Sequence, residues 1–317
     1  MEDGMTFVPT TEELEAFLDE RPNHHRWGPE DQRGALNLIG PETILAAIAT
    51  VTLGETISMA RPIAVKPARN NPKPAHHYMM DWIRESDPRA GSVTDYLGMV
   101  YHGQAYTHLD ALCHQWDKGG MWGGKDPKAQ IRLDGARWGG VEHWATGVIG
   151  RGVLLDVAAH RGVPHVTVDS PVHGTELEEV AEAQGVELRP GDIVAVHCGR
   201  ENYDRMQPQP WGTKLGPDPE MDDQRPGLHA SCLWFFRDHD VAGLAWDMLD
   251  HKPYGYPLPF TVHGAIFSLG MALFDNAMLE DVAKRCAELG RYEFFFVSSP
   301  LIVVGGTGSP VNPIAIL

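Results

Sequence analysis

Short apolar runs recur through the second half of the chain, and segments with helical periodicity separate them. Three runs have the length of buried strands, namely Val148–Val157, Gly191–His197 and Val241–Asp247. Between the first two, Thr175–Gln184 has a helical pattern that ends at Gly185, a residue that suits a helix C-cap. Strands that alternate with helices predict a mixed α/β sheet with flanking helices rather than a helical bundle.

Further elements are predicted around this region. Thr175 and Glu178 have the spacing of a capping box at the start of the Thr175–Gln184 helix. The segment Pro62–Arg89 is too rich in proline for a helix interior, so it is predicted to be a surface loop or a lid over the site. The other predicted elements are helices over Thr11–Asp19, Pro41–Ala49, His229–Asp238 and Leu279–Leu289, and strands over Gly54–Ala60, Tyr292–Val297 and Leu301–Val304.

Composition excludes several classes of protein. The net charge of -17 argues against nucleic acid or an anionic membrane surface as a partner. No apolar run of about 18 residues is present, so no membrane-spanning helix is expected. The acidic start lacks the pattern of a signal peptide, and the four cysteines have no C-x-x-C spacing. These features predict a cytoplasmic protein with reduced thiols.

One stretch, Tyr101–Lys125, holds most of the side chains that carry chemistry. It contains three histidines, His102, His108 and His114, with Asp110 between the last two and Gln104 before His108. Because side chains alternate along a strand, Gln104, His108, Asp110 and His114 would share one face of an extended chain. In a helix they would spread around the axis, so the stretch is predicted to be a strand that leads into a loop.

Histidine and aspartate ligate borderline divalent metals, so this pattern favours a metal or acid/base site. Two other interpretations stay open from spacing alone: buried, hydrogen-bonded histidines beside a helix cap, or a surface loop. Cys113 lies within the stretch, and it is interpreted as a small buried residue that faces away from the site rather than as a nucleophile.

The segment Tyr106–His114 resembles the signature of the cyclase family, the metal-dependent hydrolases that include bacterial kynurenine formamidase and isatin hydrolase. That signature is His-x-Gly-Thr-His-x-Asp-x-Pro-x-His, and this chain matches its Thr, second His, Asp and final His. Tyr106 stands in place of the Gly, Leu112 in place of the Pro and Gln104 in place of the first His. The resemblance extends over residues 27–315, so a single domain over 1–317 is expected, with an N-terminal helical extension at 1–26.

The resemblance implies roles for particular residues. Metal ligands are expected at Gln104, His108 and Asp110, with His102 as the alternative to Gln104, and His114 is expected to be the general base. His263 matches a family histidine that helps in catalysis or binds a second metal. Asp275 lies where the family usually has Glu, and because Asp is one methylene shorter, a complete second metal site is left open.

The fold expected from the resemblance is the swivelling β/β/α type, assembled as a homodimer or homotetramer. One divalent metal, Mn or Zn, is expected, with Gln104 tilting the choice towards Mn. The predicted activity is hydrolysis of a small cyclic or aryl amide, imide or lactone, with Trp122 and Trp27 as aromatic walls of the pocket or as packing residues. Two alternatives are a metal-dependent polyketide-type cyclase or dehydratase, and a non-catalytic binder of a small molecule that has lost the metal.

Overall fold

A computed structural model describes residues 6–82, 92–213 and 224–317. Its largest feature is a mixed sheet of nine strands in the order β1-β13-β11-β7-β8-β9-β10-β4-β12. The strands of this sheet are β1 (Thr56–Ser58), β4 (His108–Asp110), β7 (Val148–Asp156), β8 (Ile193–His197), β9 (Gly243–Trp246), β10 (Ala272–Asp275), β11 (Glu293–Ser298), β12 (Gly308–Pro310) and β13 (Ile314–Ile316). The hairpins outside it are β2 (His76–Trp82) with β3 (Ser92–Gly98), and β5 (Ile131–Arg132) with β6 (Gly135–Ala136).

Helices flank the sheet. They are α1 (Thr11–Glu20), α2 (Pro41–Ile48), α3 (Pro127–Gln130), α4 (Val157–His160), α5 (Gly174–Gln184), α6 (Arg200–Met206), α7 (Cys232–Asp238), α8 (Ala265–Ser268) and α9 (Glu280–Leu289). Helices α2, α5 and α9 all pack against β7, which lies near the middle of the sheet. The mixed α/β prediction is therefore confirmed. In the described ranges, no helix is both long enough and apolar enough to cross a bilayer.

The centre of the sheet is parallel. Strands β7, β8, β9 and β10 run in one direction, and their side chains are buried almost without exception because helices and loops cover both faces. Strand β4 then pairs with β10 in the opposite direction. The start of β4 consequently lies beside the carboxyl end of β10, the edge at which α/β sheets bind ligands.

Most predicted elements occur within a few residues of their expected bounds, but two predictions are wrong. Leu301–Val304 is not a strand: the Val303 N–H donates to the Leu301 carbonyl at 2.9 Å, and this contact bends the run while its side chains stay exposed. The Thr175–Glu178 capping box does not form either. Helix α5 begins at Gly174, whose N–H bonds to Ser231 Oγ, and Glu178 pairs instead with His239 at 2.7 Å.

The proline-rich segment is only partly a loop. Its last described part, from His76, forms β2 and pairs with β3 in a hairpin, and residues 83–91 lie outside the described residues. Adjacent residues of a strand point to opposite faces, so the side chains of His76 and His77 face apart. His77 Nε2 instead lies 3.0 Å from Asp95 Oδ1 across the hairpin.

Candidate metal centre

The site is built where β4 meets β10. Leu109 is fully buried in the hydrophobic core, so the alternation of the strand directs His108 and Asp110 together to its other face. Asp275, the last residue of β10, is the register partner of His108. The prediction that His108 and Asp110 share one face of a strand is thus confirmed, but the strand comprises only His108–Asp110.

Four imidazole rings surround the carboxylate of Asp110. Its Oδ1 lies 2.9 Å from His102 Nδ1 and 3.3 Å from His108 Nε2. Its Oδ2 lies 3.6 Å from His114 Nε2 and 4.0 Å from His263 Nε2. Each oxygen of Asp110 therefore faces a different pair of histidines.

Both oxygens of Asp110 are buried, as is His102 Nδ1, and among the described residues none of the three atoms makes a hydrogen bond of acceptable geometry. Leaving buried polar atoms unpaired is costly, so native structures nearly always provide them with a partner. Burial alone raises the pKa of Asp110, but the neighbouring His114, His102 and His108 outweigh this effect and hold that pKa well below its usual range. A charged, unpaired carboxylate between ring nitrogens fits the donor set of a divalent cation.

The tautomer of His108 is set by the backbone. His108 Nδ1 lies 2.9 Å from the carbonyl oxygen of Tyr106, and a carbonyl only accepts, so Nδ1 carries the proton. Nε2 is then the nitrogen that faces Asp110 and would offer a lone pair to a metal bound there. His102 is held in a similar way, with Nε2 2.9 Å from Thr307 Oγ1 and Nδ1 facing Asp110. Partners of this kind orient the histidine ligands of metals.

For Gln104, expected as a ligand, the described residues show contacts with Arg200 and Gly212, and its side-chain Oε1 is buried without a hydrogen-bond partner among them. Residues 101–107 form an irregular loop rather than a strand, so the alternation that would align Gln104 with His108 does not extend back to it. The backbone carbonyl of Gln104 accepts a hydrogen bond from Arg200. The side chain of Gln104 packs against Gly212, so closely that a Cβ added to Gly212 would lie 2.7 Å from Gln104 Cβ. His102, the alternative ligand, is the side chain that this loop brings beside Asp110.

His114 is placed to exchange protons. Its ring stacks on that of His102 with centroids 3.8 Å apart and planes 3° from parallel. Burial lowers the pKa of His114 to about 4, with His102, His263 and His108 adding to this effect and Asp110 opposing it. The ring is therefore neutral at neutral pH, as a general base must be.

His263 stands between two carboxylates. Its Nε2 lies 3.2 Å from Asp275 Oδ2, and its Nδ1 contacts Asp250. Burial alone lowers the pKa of His263, but the charges of Asp250 and Asp275 and their hydrogen bonds raise that pKa well above its usual value. Trp246 Nε1 donates to the other oxygen of Asp275 at 2.7 Å and fixes that carboxylate.

Three sets of potential ligand atoms lie within 4.8 Å of one another in the described part of the chain: His102, His108 and Asp110; Asp110, His263 and Asp275; and His197, Glu201 and Asp247. The first two sets share Asp110, so these residues could hold two ions with Asp110 as a common ligand, even though Asp275 is one methylene shorter than the usual Glu. The third set differs, because Asp247 accepts backbone N–H groups from Cys198, Gly199, Arg200 and Met248. Asp247 is therefore already committed to fixing the start of α6.

The expected aromatic walls have different surroundings. Trp122 is only 2% exposed, lies in the hydrophobic core and donates its indole N–H to Asp31. Trp27 packs against it with ring centroids 6.3 Å apart. These contacts match the packing alternative. Cys113 is fully buried, and burial raises the pKa of its thiol to about 12, which fits the interpretation that it is not a nucleophile.

Three residues that support this cluster were not predicted from the sequence: Thr307, Trp246 and Asp250. Thr307 belongs to a glycine-rich terminal segment that carries no metal-ligand pattern. Trp246 is the last residue of β9 and lies inside the predicted strand Val241–Asp247, so its position near the carboxyl edge of the sheet was a usable signal. Asp250 follows the end of β9 by four residues and carries no comparable pattern.

The sequence profile of the cyclase family matches residues 50–252. A solved structure described as a novel cyclase superposes with a TM-score of 0.80 at 32% identity, covering 93% of this chain and 99% of its own. None of the curated proteins matches the chain.

Two more distant structures share the fold. Isatin hydrolase bound to the product analogue thioisatinate superposes with a TM-score of 0.58 at 15% identity, covering 88% of this chain and 99% of its own. Isatin hydrolase A from Ralstonia solanacearum gives a TM-score of 0.57 at 15% identity, covering 87% and 97%.

Proposed function

The chain belongs to the cyclase family, and from this premise we propose that it is a hydrolase that depends on a divalent metal. Its substrate would be a small cyclic or aryl amide, imide or lactone. Support for this substrate class comes from the structural likeness to isatin hydrolase and from the reaction that the side chains around Asp110 are able to assist.

One observation carries the proposal. Asp110 is a fully buried, charged carboxylate whose two oxygens have ring nitrogens on either side and no hydrogen bond among the described residues. Structural ion pairs in protein interiors are normally hydrogen-bonded, because an unpaired buried charge is strongly destabilising. A cation bound between these groups would satisfy Asp110 and the lone pairs of its neighbours together.

His102 Nδ1, His108 Nε2 and Asp110 Oδ1 would hold the metal, Mn or Zn. His263, Asp275 and the second oxygen of Asp110 are the candidate ligands for a second ion. A divalent metal at such a site lowers the pKa of bound water towards neutrality and polarises a carbonyl oxygen.

The proton transfers fall to His114. Its neutral ring takes a proton from the water as the water oxygen bonds to the carbonyl carbon, and it returns that proton to the leaving nitrogen or oxygen as the C–N or C–O bond breaks. The parallel stack on His102 fixes the plane of the His114 ring, so Nε2 stays directed towards Asp110. If no second ion binds there, His263 shares the proton transfer with His114 or hydrogen-bonds the leaving nitrogen.

Steady-state assays with a panel of aryl formamides, cyclic aryl amides, imides and lactones test the proposal, each with metal-free and metal-loaded protein. We expect turnover of at least one member only in the loaded protein. Product analysis then distinguishes the reactions, because hydrolysis adds water whereas the cyclase or dehydratase alternative conserves or removes it. No turnover of any member would contradict the proposed substrate class.

We also propose that the protein assembles as a homodimer or homotetramer through the β2–β3 hairpin. A two-stranded hairpin is at best marginally stable in water without a covering layer. Yet this one exposes large apolar side chains on both faces, with Tyr78, Met80 and Tyr96 on one face and Met79, Val93 and Leu97 on the other. Tyr78 and Tyr96 stack with centroids 4.8 Å apart, so the hairpin presents a preformed apolar surface to a second copy of the chain.

A further inference from the structure

A second carboxylate, Asp250, lies behind His263. It is 1% exposed and meets Nδ1 of that ring, whereas Nε2 faces Asp275 and Asp110. The two oxygens of Asp250 have different partners. Oδ1 accepts from Thr261 Oγ1 at 2.6 Å, from the N–H of Val262 at 2.7 Å and from the N–H of His263 at 3.3 Å, while Oδ2 contacts the ring.

We propose that Asp250 is a positioning residue that keeps a proton on Nδ1 of His263 and thereby makes Nε2, which faces Asp110 and Asp275, the nitrogen that binds a metal. The inference rests on the proposed function, because it assigns His263 the work of binding a metal or accepting a proton. An ionised carboxylate has acceptors only, so the nitrogen that meets it must be the donor. Nδ1 therefore keeps its proton, and Nε2 is the nitrogen that gives up a proton and offers a lone pair when a metal binds.

The geometry makes Asp250 an acceptor. The backbone N–H groups of Val262 and His263 can only donate, so Oδ1 accepts from both, and Thr261 Oγ1 lies 2.6 Å from the same oxygen. These three contacts on Oδ1 also fix the orientation of the Asp250 carboxylate, so Oδ2 is always the oxygen that meets the ring.

This asymmetry makes Asp250→Asn informative. The three donors at Oδ1 require an oxygen there, so the new amide places its NH₂ group against Nδ1 of His263. Nδ1 must then accept, and the proton of the neutral ring moves to Nε2, where it points towards Asp275 Oδ2. The substitution thus reverses the tautomer without removing the hydrogen bonds that hold the 261–263 turn.

The first experiment is calorimetric titration of the metal-free full-length protein with Mn²⁺ and with Zn²⁺. The proteins compared are wild type, Asp250→Asn, His263→Ala and the double variant. Loss of a partner behind a ligand histidine typically weakens metal binding by about tenfold to a hundredfold, and we expect this for Asp250→Asn. Because Asp250 acts through His263, the double variant should bind no more weakly than His263→Ala alone.

Thr261→Val is the matched control. It removes a donor to the same carboxylate from the side away from the His263 ring and keeps the charge of Asp250. We expect unchanged metal affinity for it. If Asp250→Asn binds metal as wild type does while His263→Ala loses affinity, or if the two losses add in the double variant, the inference about Asp250 is overturned and the proposed function stands.

A second readout needs neither metal nor substrate. In protein labelled with ¹⁵N-histidine, the ring ¹⁵N shifts show which nitrogen of His263 is protonated, and the resonance is assigned by its loss in His263→Ala. Nδ1 should be protonated in wild type and unprotonated in Asp250→Asn. A protonated Nδ1 in that variant would overturn the inference. If wild type binds no metal, or binds it independently of His263, this spectrum alone decides the role of Asp250.

Discussion

His108 and Asp275 lie opposite each other on the antiparallel strands β4 and β10, with His108 Nε2 3.8 Å from Asp275 Oδ2. This register brings the signature stretch into contact with the carboxyl end of the parallel strands. Asp110 is then the residue shared between a first set of ligands from the signature and a second set that includes Asp275. The local alternation of β4 and the pairing of β10 together create the site.

Removal of His114 should separate proton transfer from metal binding. We expect His114→Ala to lower kcat by roughly a hundredfold to ten-thousandfold, the range for loss of a general acid or base. The metal content should stay at the wild-type level, because His102, His108 and Asp110 are unchanged. Steady-state kinetics beside elemental analysis checks this. Equal loss of metal and of activity would instead make His114 a ligand.

Alkaline pH should destabilise the protein through His197. Burial alone lowers the pKa of His197, but its hydrogen bond to Asp156 and the nearby charge of Asp247 raise it to about 9. A pKa above the unfolded value of about 6.5 means that the stabilisation is complete below pH 6.5 and is lost as the pH rises through 9.

The raised pKa of His197 corresponds to a contribution of on the order of 3 kcal/mol to the free energy of unfolding. Urea unfolding of wild type and His197→Gln from pH 6 to pH 10 measures this contribution as the difference between the two curves. The difference should shrink as the pH rises. A constant difference would show that His197 is not a buried cation in the folded protein.

Acid pH should destabilise the folded protein through a different histidine, His229. Burial lowers the pKa of His229 to about 4, and His173 and His251 add to the effect. Below the unfolded value of about 6.5 the unfolded chain binds a proton that the folded chain does not, so stability falls as the pH drops from 6.5 to 4. His229→Asn keeps an acceptor for the Ser231 N–H and removes the titration, so its stability should decline less over this range. Thermal melts at pH 4.5 and 6.5 provide the comparison, and parallel declines would contradict the assignment.

If the β2–β3 hairpin forms the interface, a charge placed in it should lower the mass of the assembly in solution. Wild type should sediment as a dimer or tetramer, and Tyr96→Asp should sediment as a monomer of 35.0 kDa, because it places a charge on the face of the hairpin where Tyr78 and Tyr96 stack. Leu133→Asp is the control, since Leu133 is fully exposed but lies outside the β2–β3 hairpin, and it should assemble as wild type does. A monomeric wild type, or a Tyr96→Asp variant that still assembles, would rule out this interface.

The sequence predicted those parts of the site that depend on local periodicity. His108 and Asp110 share a face because strand alternation is a local property, and it holds wherever the chain is extended. The choice between Gln104 and His102 depends on the path of an irregular loop, which Arg200 and Gly212 help to fix from distant parts of the chain. Asp250 was not predicted either, because its role depends on a tertiary contact with His263.

In the fold, too, elements that depend on local sequence were predicted and those that depend on distant contacts were not. The buried parallel strands were predictable from their apolar runs, because long-range pairing and local composition agree there. Leu301–Val304 has equally apolar composition but bends within itself and stays exposed, so composition alone misassigned it. The start of α5 was misjudged because Ser231, rather than a local capping box, satisfies the first N–H of the helix.

The central claim is that Asp110 and its histidines bind a divalent metal. Elemental analysis by mass spectrometry on protein purified without chelator tests it most directly, for wild type, His108→Ala and His160→Ala, an exposed histidine at the end of α4. We predict at least about one Mn or Zn per chain in wild type and in His160→Ala, and little in His108→Ala. No metal in wild type after reconstitution, or equal metal in His108→Ala, would contradict the claim.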